Sequence, residues 1–258
     1  MLSDDVAIQT YAEFRRLWSG APPSTPLVAF PDFVDGRPLS AGEAAIFRSM
    51  ASEHVRELAN FINEFIWYMR QLEIWRDIMS PLEAEDRYEL AMEFVLPLAY
   101  YCVDVPYALH GRLCTSVASL SHQANSFTVE GWKDDANLRY IDAKRAAKFA
   151  SGWSAWPDLS AALAKLNDRS FIDAVGDFRR LYHHGFPRSL EMGFTSFVRR
   201  EVAQDGVRYE IGASPPLSVA ELLDALRPQL EVARGVYDAY LVLVRQQWER
   251  VLAAQVQG

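Results

Sequence analysis

The chain has 258 residues, half of them hydrophobic, and 26 Lys and Arg stand against 34 Asp and Glu for a net charge of -8. So much apolar surface excludes a mainly disordered chain and suffices for a sizeable core. The overall field repels polyanions, so any nucleic-acid contact must come from a local basic patch.

The opening stretch MLSDDVAIQTYAEF has acids where a secretion signal carries basic residues, and no apolar run follows them. Together with two cysteines that form no disulfide framework, this points to the cytoplasm. Apolar spacing predicts a short helix over Val6 to Trp18. Pro22, Pro23, Pro26, Pro31 and Pro38 then require an extended connection. Residues 1–39 are accordingly read as a helix and a Pro-rich segment, and 40–258 as one helical bundle.

Helix starts are expected where Ser is followed three positions later by an acid, because the two side chains can cap each other's free N–H. Ser40 with Glu43, Ser80 with Glu83, Ser170 with Asp173 and Ser218 with Glu221 fit this pattern. From Ser40, Phe47, Met50, Ala51, Leu58, Phe61, Ile62, Phe65, Met69, Leu72 and Trp75 recur at threes and fours and predict one long core helix. A second should run from Pro81 to about Ser126, bent at Pro97 and Pro106. Its most apolar run, Phe94 to Leu109, is shorter than the ~20 residues of a membrane span and is interrupted by both prolines and Asp104. A buried helix is expected there. Cys102 and Cys114 on it would stand roughly 18 Å apart, too far for a disulfide.

Shorter helices are predicted near Ala136 to Phe149, Leu159 to Leu166 and Phe171 to His184. Asp205-Gly206 is a favoured hairpin turn, and alternation of Val207, Tyr209 and Ile211 with Arg208 and Glu210 marks a small β-hairpin at about 195–212. A third long helix runs from Val219 towards the end, with Tyr237, Tyr240, Leu241, Val244, Trp248 and Val251 on one side. The fold class is therefore all-α, a long-helix bundle with a small hairpin insertion.

The segment SFIDAVGDFRRLYHHGFPRS concentrates the candidate chemistry. Phe171, Val175, Phe178 and Tyr182 define its expected buried stripe, Gly185 a left-handed end and Pro187 the stop. Its last turn carries Arg179, Arg180, His183 and His184. Arg180 shares a face with His184, and Arg179 with His183. A histidine can exchange a proton near neutral pH with a ribose hydroxyl or a leaving oxygen, and an arginine can hold the phosphate charge. From Phe178 to Arg200 the chain has five arginines against the one acid Glu191, so Arg188, Arg199 and Arg200 are candidate phosphate contacts. Arg179 to His184 spells Arg, four residues, His, and this resembles the motif of the HEPN superfamily of helical-bundle proteins. The resemblance implies a metal-independent ribonuclease, or an RNA- or nucleotide-binding component of a bacterial toxin or defence system. It also implies a homodimer that brings two motifs together, and a cognate antitoxin or regulatory protein as partner. His184 would act as acid/base and Arg179 as phosphate clamp.

The alternative is a non-catalytic scaffold or regulatory interaction protein, since cations in a final helical turn are favoured by the helix dipole alone. His54, His110 and His122 stand alone on helices and read as surface or satisfied core residues. Trp67, Trp75, Trp132, Trp153 and Trp156 read as core. No Gly-rich phosphate loop, Gly-x-Ser-x-Gly elbow or zinc signature is present, so no cofactor or metal is expected.

Overall fold

The computed structural model describes residues 4–20, 22–31, 42–134, 137, 139, 141–193, 195, 197–203, 206–212 and 214–257. Three long helices dominate: α2 (Glu43–Met79), α4 (Leu96–Asn125) and α9 (Val219–Gln257). Shorter ones are α1 (Asp4–Gly20), α3 (Ala84–Leu90), α5 (Ala143–Ala150), α6 (Trp156–Leu163), α7 (Arg169–Ala174) and α8 (Phe178–His184). Strands β1 (Val198–Ala203) and β2 (Gly206–Ile211) form the antiparallel hairpin. The chain is thus mostly α with a small β insertion. No helix among the described residues is long and apolar enough to cross a membrane.

Contacts divide the chain into two units built from interleaved segments rather than by a linear split. The first comprises residues 1–26, 65–105 and 168–229. Its centre is an aromatic stack: Trp75 of α2 lies between Phe14 of α1 and Phe94, with ring centroids 4.6 and 4.7 Å away. Phe94 belongs to a π-helical turn, Ala91–Val95, that joins α3 to α4 just before Pro97. A wide turn suits that place because Pro97 has no N–H to close a regular one.

The second unit comprises residues 27–64, 106–167 and 230–258. Phe47, Val55 and Ile62 of α2, Leu109, Leu113 and Val117 of α4, and Tyr237, Tyr240, Val244 and Trp248 of α9 are buried in it. Several of its buried polar groups are paired, although Gln247 Oε1 and Trp132 Nε1 find no hydrogen-bond partner among the described residues. Gln247 Nε2 donates to Ser121 Oγ at 2.8 Å, and the Tyr237 hydroxyl donates to the carbonyls of Val55 and Ala29 at 3.2 and 3.3 Å. Asn63 ties the extended segment to α2 by exchanging hydrogen bonds with the backbone of Val28.

Most of the expected stripe of α2 is buried, Met50 being half-buried, and α9 runs unbroken through Pro228. The capping box at Ser218 and Glu221 is formed. Ser40 lies outside the described residues. Two other expected caps are corrected. Ser80 still donates to Arg76 at the end of α2, so the next helix starts only at Ala84, with Glu83 before it. At α7 the cap is Asp168, whose carboxylate accepts from Phe171 N at 2.9 Å, and not Ser170. Similarly α5 begins at Ala143 under Asp142, later than expected; Ala136 lies outside the described residues. Neither cysteine is in a disulfide; both are buried on α4.

The largest correction concerns residues 171–184, expected as one helix. Asp177 N bonds to Ile172 O at 2.7 Å and Gly176 N to Asp173 O at 3.1 Å, a Schellman end with Gly176 in the left-handed region at φ +67°. The chain restarts as α8 from Asp177, itself left-handed at φ 50°. Gly185 is extended rather than left-handed, with its N–H bonded to Leu181 O at 2.8 Å.

Candidate functional site

Four predicted residues share α8, a seven-residue helix seated through buried Phe178. Phe171 and Val175 are buried as expected, but Tyr182 is 54% exposed, because the break at Gly176 turns α8 off the line of α7. Phe186, just past the helix, is 83% exposed. His183 and His184 are both exposed, with ring centroids 6.2 Å apart.

The arginines are met by acids from elsewhere in the first unit. Arg179 Nε lies 3.3 Å from Asp104 Oδ1 of α4, and Arg180 pairs with Asp177 at the start of its own helix. Arg188 donates to the carbonyls of Pro215 and Pro216 at 2.7 and 3.1 Å and sits 3.9 Å from Glu221 of α9. Three of the five arginines in the basic segment therefore face carboxylates lying outside it, which cancels most of its local excess. Arg200 is exposed on β1, and the Arg199 side chain lies outside the described residues.

The hairpin presents a different kind of surface. Its register pairs Val198 with Ile211, Arg200 with Tyr209 and Val202 with Val207. Paired residues in an antiparallel ladder share a face, so Val198, Val202, Val207, Tyr209 and Ile211 form one apolar face interrupted only by Arg200. All of them are exposed, Val202 and Ile211 by 75% each and Tyr209 by 65%. A two-stranded hairpin is marginal by itself, and its apolar residues are gathered in one exposed patch.

Backbone groups on the outer edge of β2 can be assigned from the ladder. Gly212 N donates to Phe197 O at 2.9 Å, Ser214 N to Thr195 O at 2.8 Å and Thr195 N back to Ser214 O at 3.3 Å. Alternation along an antiparallel pair then turns the backbone groups of Gly206, Arg208 and Glu210 towards β1. Those of Val207, Tyr209 and Ile211 point to the open edge.

A third feature, in the second unit, was not anticipated. A groove of about 380 Å³ runs between α2 and α4, lined by His54, Leu58, Tyr107, Gly111, Arg112 and Ser116 among others. The Tyr240 hydroxyl lies 2.6 Å from Ser116 Oγ, which lies 3.0 Å from His54 Nδ1. Arg112 stacks its guanidinium 3.8 Å above the Phe61 ring. His54 is thus a partnered histidine, as are His110, whose Nδ1 lies 3.8 Å from Cys114 Sγ, and His122, bonded to Asp134 at 3.0 Å. Burial holds His54 and His110 below the usual histidine range and pushes the Cys114 thiol up to about 11.

Fold and surfaces define a mostly α-helical, bundle-like protein with a small, exposed β-hairpin. Comparison of the chain with protein-family models, with curated proteins and with solved structures finds no match.

Proposed function

We propose that this chain is a non-catalytic helical interaction protein that self-associates through the outer edge of β2. The observation that carries this reading is the self-complementarity of β2. Two copies related by a two-fold axis at Tyr209 would place Val207 opposite Ile211 of the second copy, and Arg208 opposite its Glu210. The groups needed for the new ladder are those of Val207, Tyr209 and Ile211, which face that edge. Apolar would meet apolar on one face, and opposite charges would meet on the other. Centring the axis on Arg208 or Glu210 instead would oppose like charges, and centring it on Arg200 along the β1 edge would do the same. The neutralised arginines of α8 and Arg188 fit a structural helix end.

Tyr209→Glu tests this directly. Inside the hairpin the new carboxylate stands opposite Arg200, a favourable pair. Across the two-fold it would face its own copy and repel it. The full chain is expected to rise towards dimer mass with concentration in analytical ultracentrifugation, and the variant to stay monomeric with unchanged helical circular dichroism. An equal mixture of Tyr209→Glu and Tyr209→Lys chains is expected to recover dimer mass. A wild-type chain that stays monomeric, or a variant that dimerises as the wild type does, overturns the reading.

A second reading rests on the two exposed imidazoles at the end of α8. The Arg179–Asp104 pair is solvent-exposed, 40% and 52% for the two side chains, and such pairs contribute only about 0–1 kcal/mol, so a phosphate can displace the acid. In the HEPN-like mechanism His184 takes the proton of a ribose 2′-hydroxyl, the 2′-oxygen attacks phosphorus, and the 5′-oxygen leaves with a proton from His183. Arg179 holds the phosphate while a cyclic phosphate forms. On this reading, His184→Ala and Arg179→Ala each lower cleavage of single-stranded RNA in EDTA by roughly 10²-fold or more, with the thermal midpoint unchanged. RNA left intact by the unaltered chain removes this reading and leaves the first standing.

A further inference from the structure

We propose that the groove between α2 and α4 in the second unit binds a small anion with an apolar body, such as an aryl or alkyl carboxylate or phosphate monoester. The inference stands apart from the hairpin and from α8, because every residue it uses lies in residues 27–64, 106–167 and 230–258.

Arg112 supplies the positive charge. Its side chain is exposed at the groove, with the guanidinium stacked on Phe61, and no carboxylate among the described residues lies within ion-pair distance of it. Stacking holds the planar fork in place while leaving its N–H groups for a ligand. The acid in the groove, Glu57, is engaged by Arg56 at 3.3 Å.

The hydrogen-bond chain sets the second donor. Tyr240 is buried and its hydroxyl has Ser116 Oγ as partner, so the phenol donates there. The Ser116 proton is then directed to His54 Nδ1, which leaves the ring proton on Nε2. A neutral imidazole donor beside a ring-stacked guanidinium selects an anion over a cation. Leu58, Tyr107 and Ala108 supply an apolar wall for the rest of the ligand.

Gly111 keeps the space open. It sits in the interior of α4, where glycine costs roughly 0.5–1 kcal/mol relative to alanine, and a Cβ built there meets nothing within 4 Å. Neither a positive φ nor a close backbone approach calls for glycine at this position. A larger side chain would stand in the groove without disturbing the helix.

The test uses the full chain and three probes in isothermal titration: phenyl phosphate, phenylacetate and the uncharged benzyl alcohol. At least one of the two anions is expected to bind one per chain, and benzyl alcohol to bind at least tenfold more weakly. The preferred anion tells a phosphate monoester from a carboxylate as the natural head group. Arg112→Gln is expected to weaken anion binding tenfold or more, and Gly111→Leu to abolish it while raising or preserving the thermal midpoint. Absence of binding by both anions at millimolar concentration overturns the proposal. So does anion binding that survives both substitutions.

Discussion

Replacing Trp75 by alanine is expected to lower the unfolding free energy by about 3–5 kcal/mol, the range for removing a large aromatic side chain from a core. Trp75 is only 2% exposed and is stacked almost parallel between Phe14 and Phe94, with interplanar angles of 10° on both sides. Removal deletes both stacking partners' contacts at once and leaves a cavity that two rigid helices cannot close. Phe14 in turn stacks on Tyr11 and Trp18, so α1 is held largely through this one column. Denaturant unfolding should therefore show a lower midpoint with a similar slope, and amide exchange should quicken first across Asp4–Gly20. A loss below about 1 kcal/mol would mean that the column is not what secures α1.

The long helices were legible because their apolar stripes persist over many turns, and propensity, period and burial agree along α2 and α9. Caps were less legible, since Ser170 with Asp173 satisfies the same pattern as Ser218 with Glu221. Only the structure shows that Asp168, two residues earlier, is the acceptor actually used. The break between α7 and α8 was hidden by its own regularity. Phe171, Val175, Phe178 and Tyr182 keep helical spacing across it, and the signal that could have revealed it was the Gly176-Asp177 pair, a suitable left-handed helix end.

For the site, the sequence showed where cations cluster but not what faces them. Asp104 lies 75 positions before Arg179, and Glu221 lies 33 after Arg188, so their neutralising role depends on tertiary packing. The groove was hidden for the same reason. Its chain of donors joins His54 to Ser116 across 62 positions and Ser116 to Tyr240 across 124. One local trace existed, a glycine inside a long helix with no turn to explain it. The hairpin was legible from Asp205-Gly206 and alternation, though Asp205 itself lies outside the described residues. The exposure of its apolar face was not, because alternation tells which face is apolar and not whether anything covers it.

Acid should destabilise the fold well before its carboxylates titrate. Burial lowers the pKa of His54 and of His110 below their ordinary 6.5 in the folded chain, so each favours the neutral ring. Unfolded chains take up protons on both rings as pH falls through about 6.5, while the folded chain does not until its own lower values are reached. Stability contributed by the neutral rings is therefore full above pH ~7 and falls between about 6.5 and the folded-state values. Two protons set a ceiling of roughly 2.7 kcal/mol per pH unit on the slope. Glu13 and Glu221, held low by Arg16 and by Ser218 respectively, shift only below their ordinary 4.5 and leave this window to the histidines. Urea unfolding from pH 8 to 5 measures the slope, and His54→Gln should remove about half of it. An anion bound beside His54 would favour the protonated ring and so raise its folded-state value, which makes a flatter slope in saturating phenyl phosphate a second expected result. Stability that stays level from pH 7 to 5 would show that neither ring is shielded from water as its packing implies.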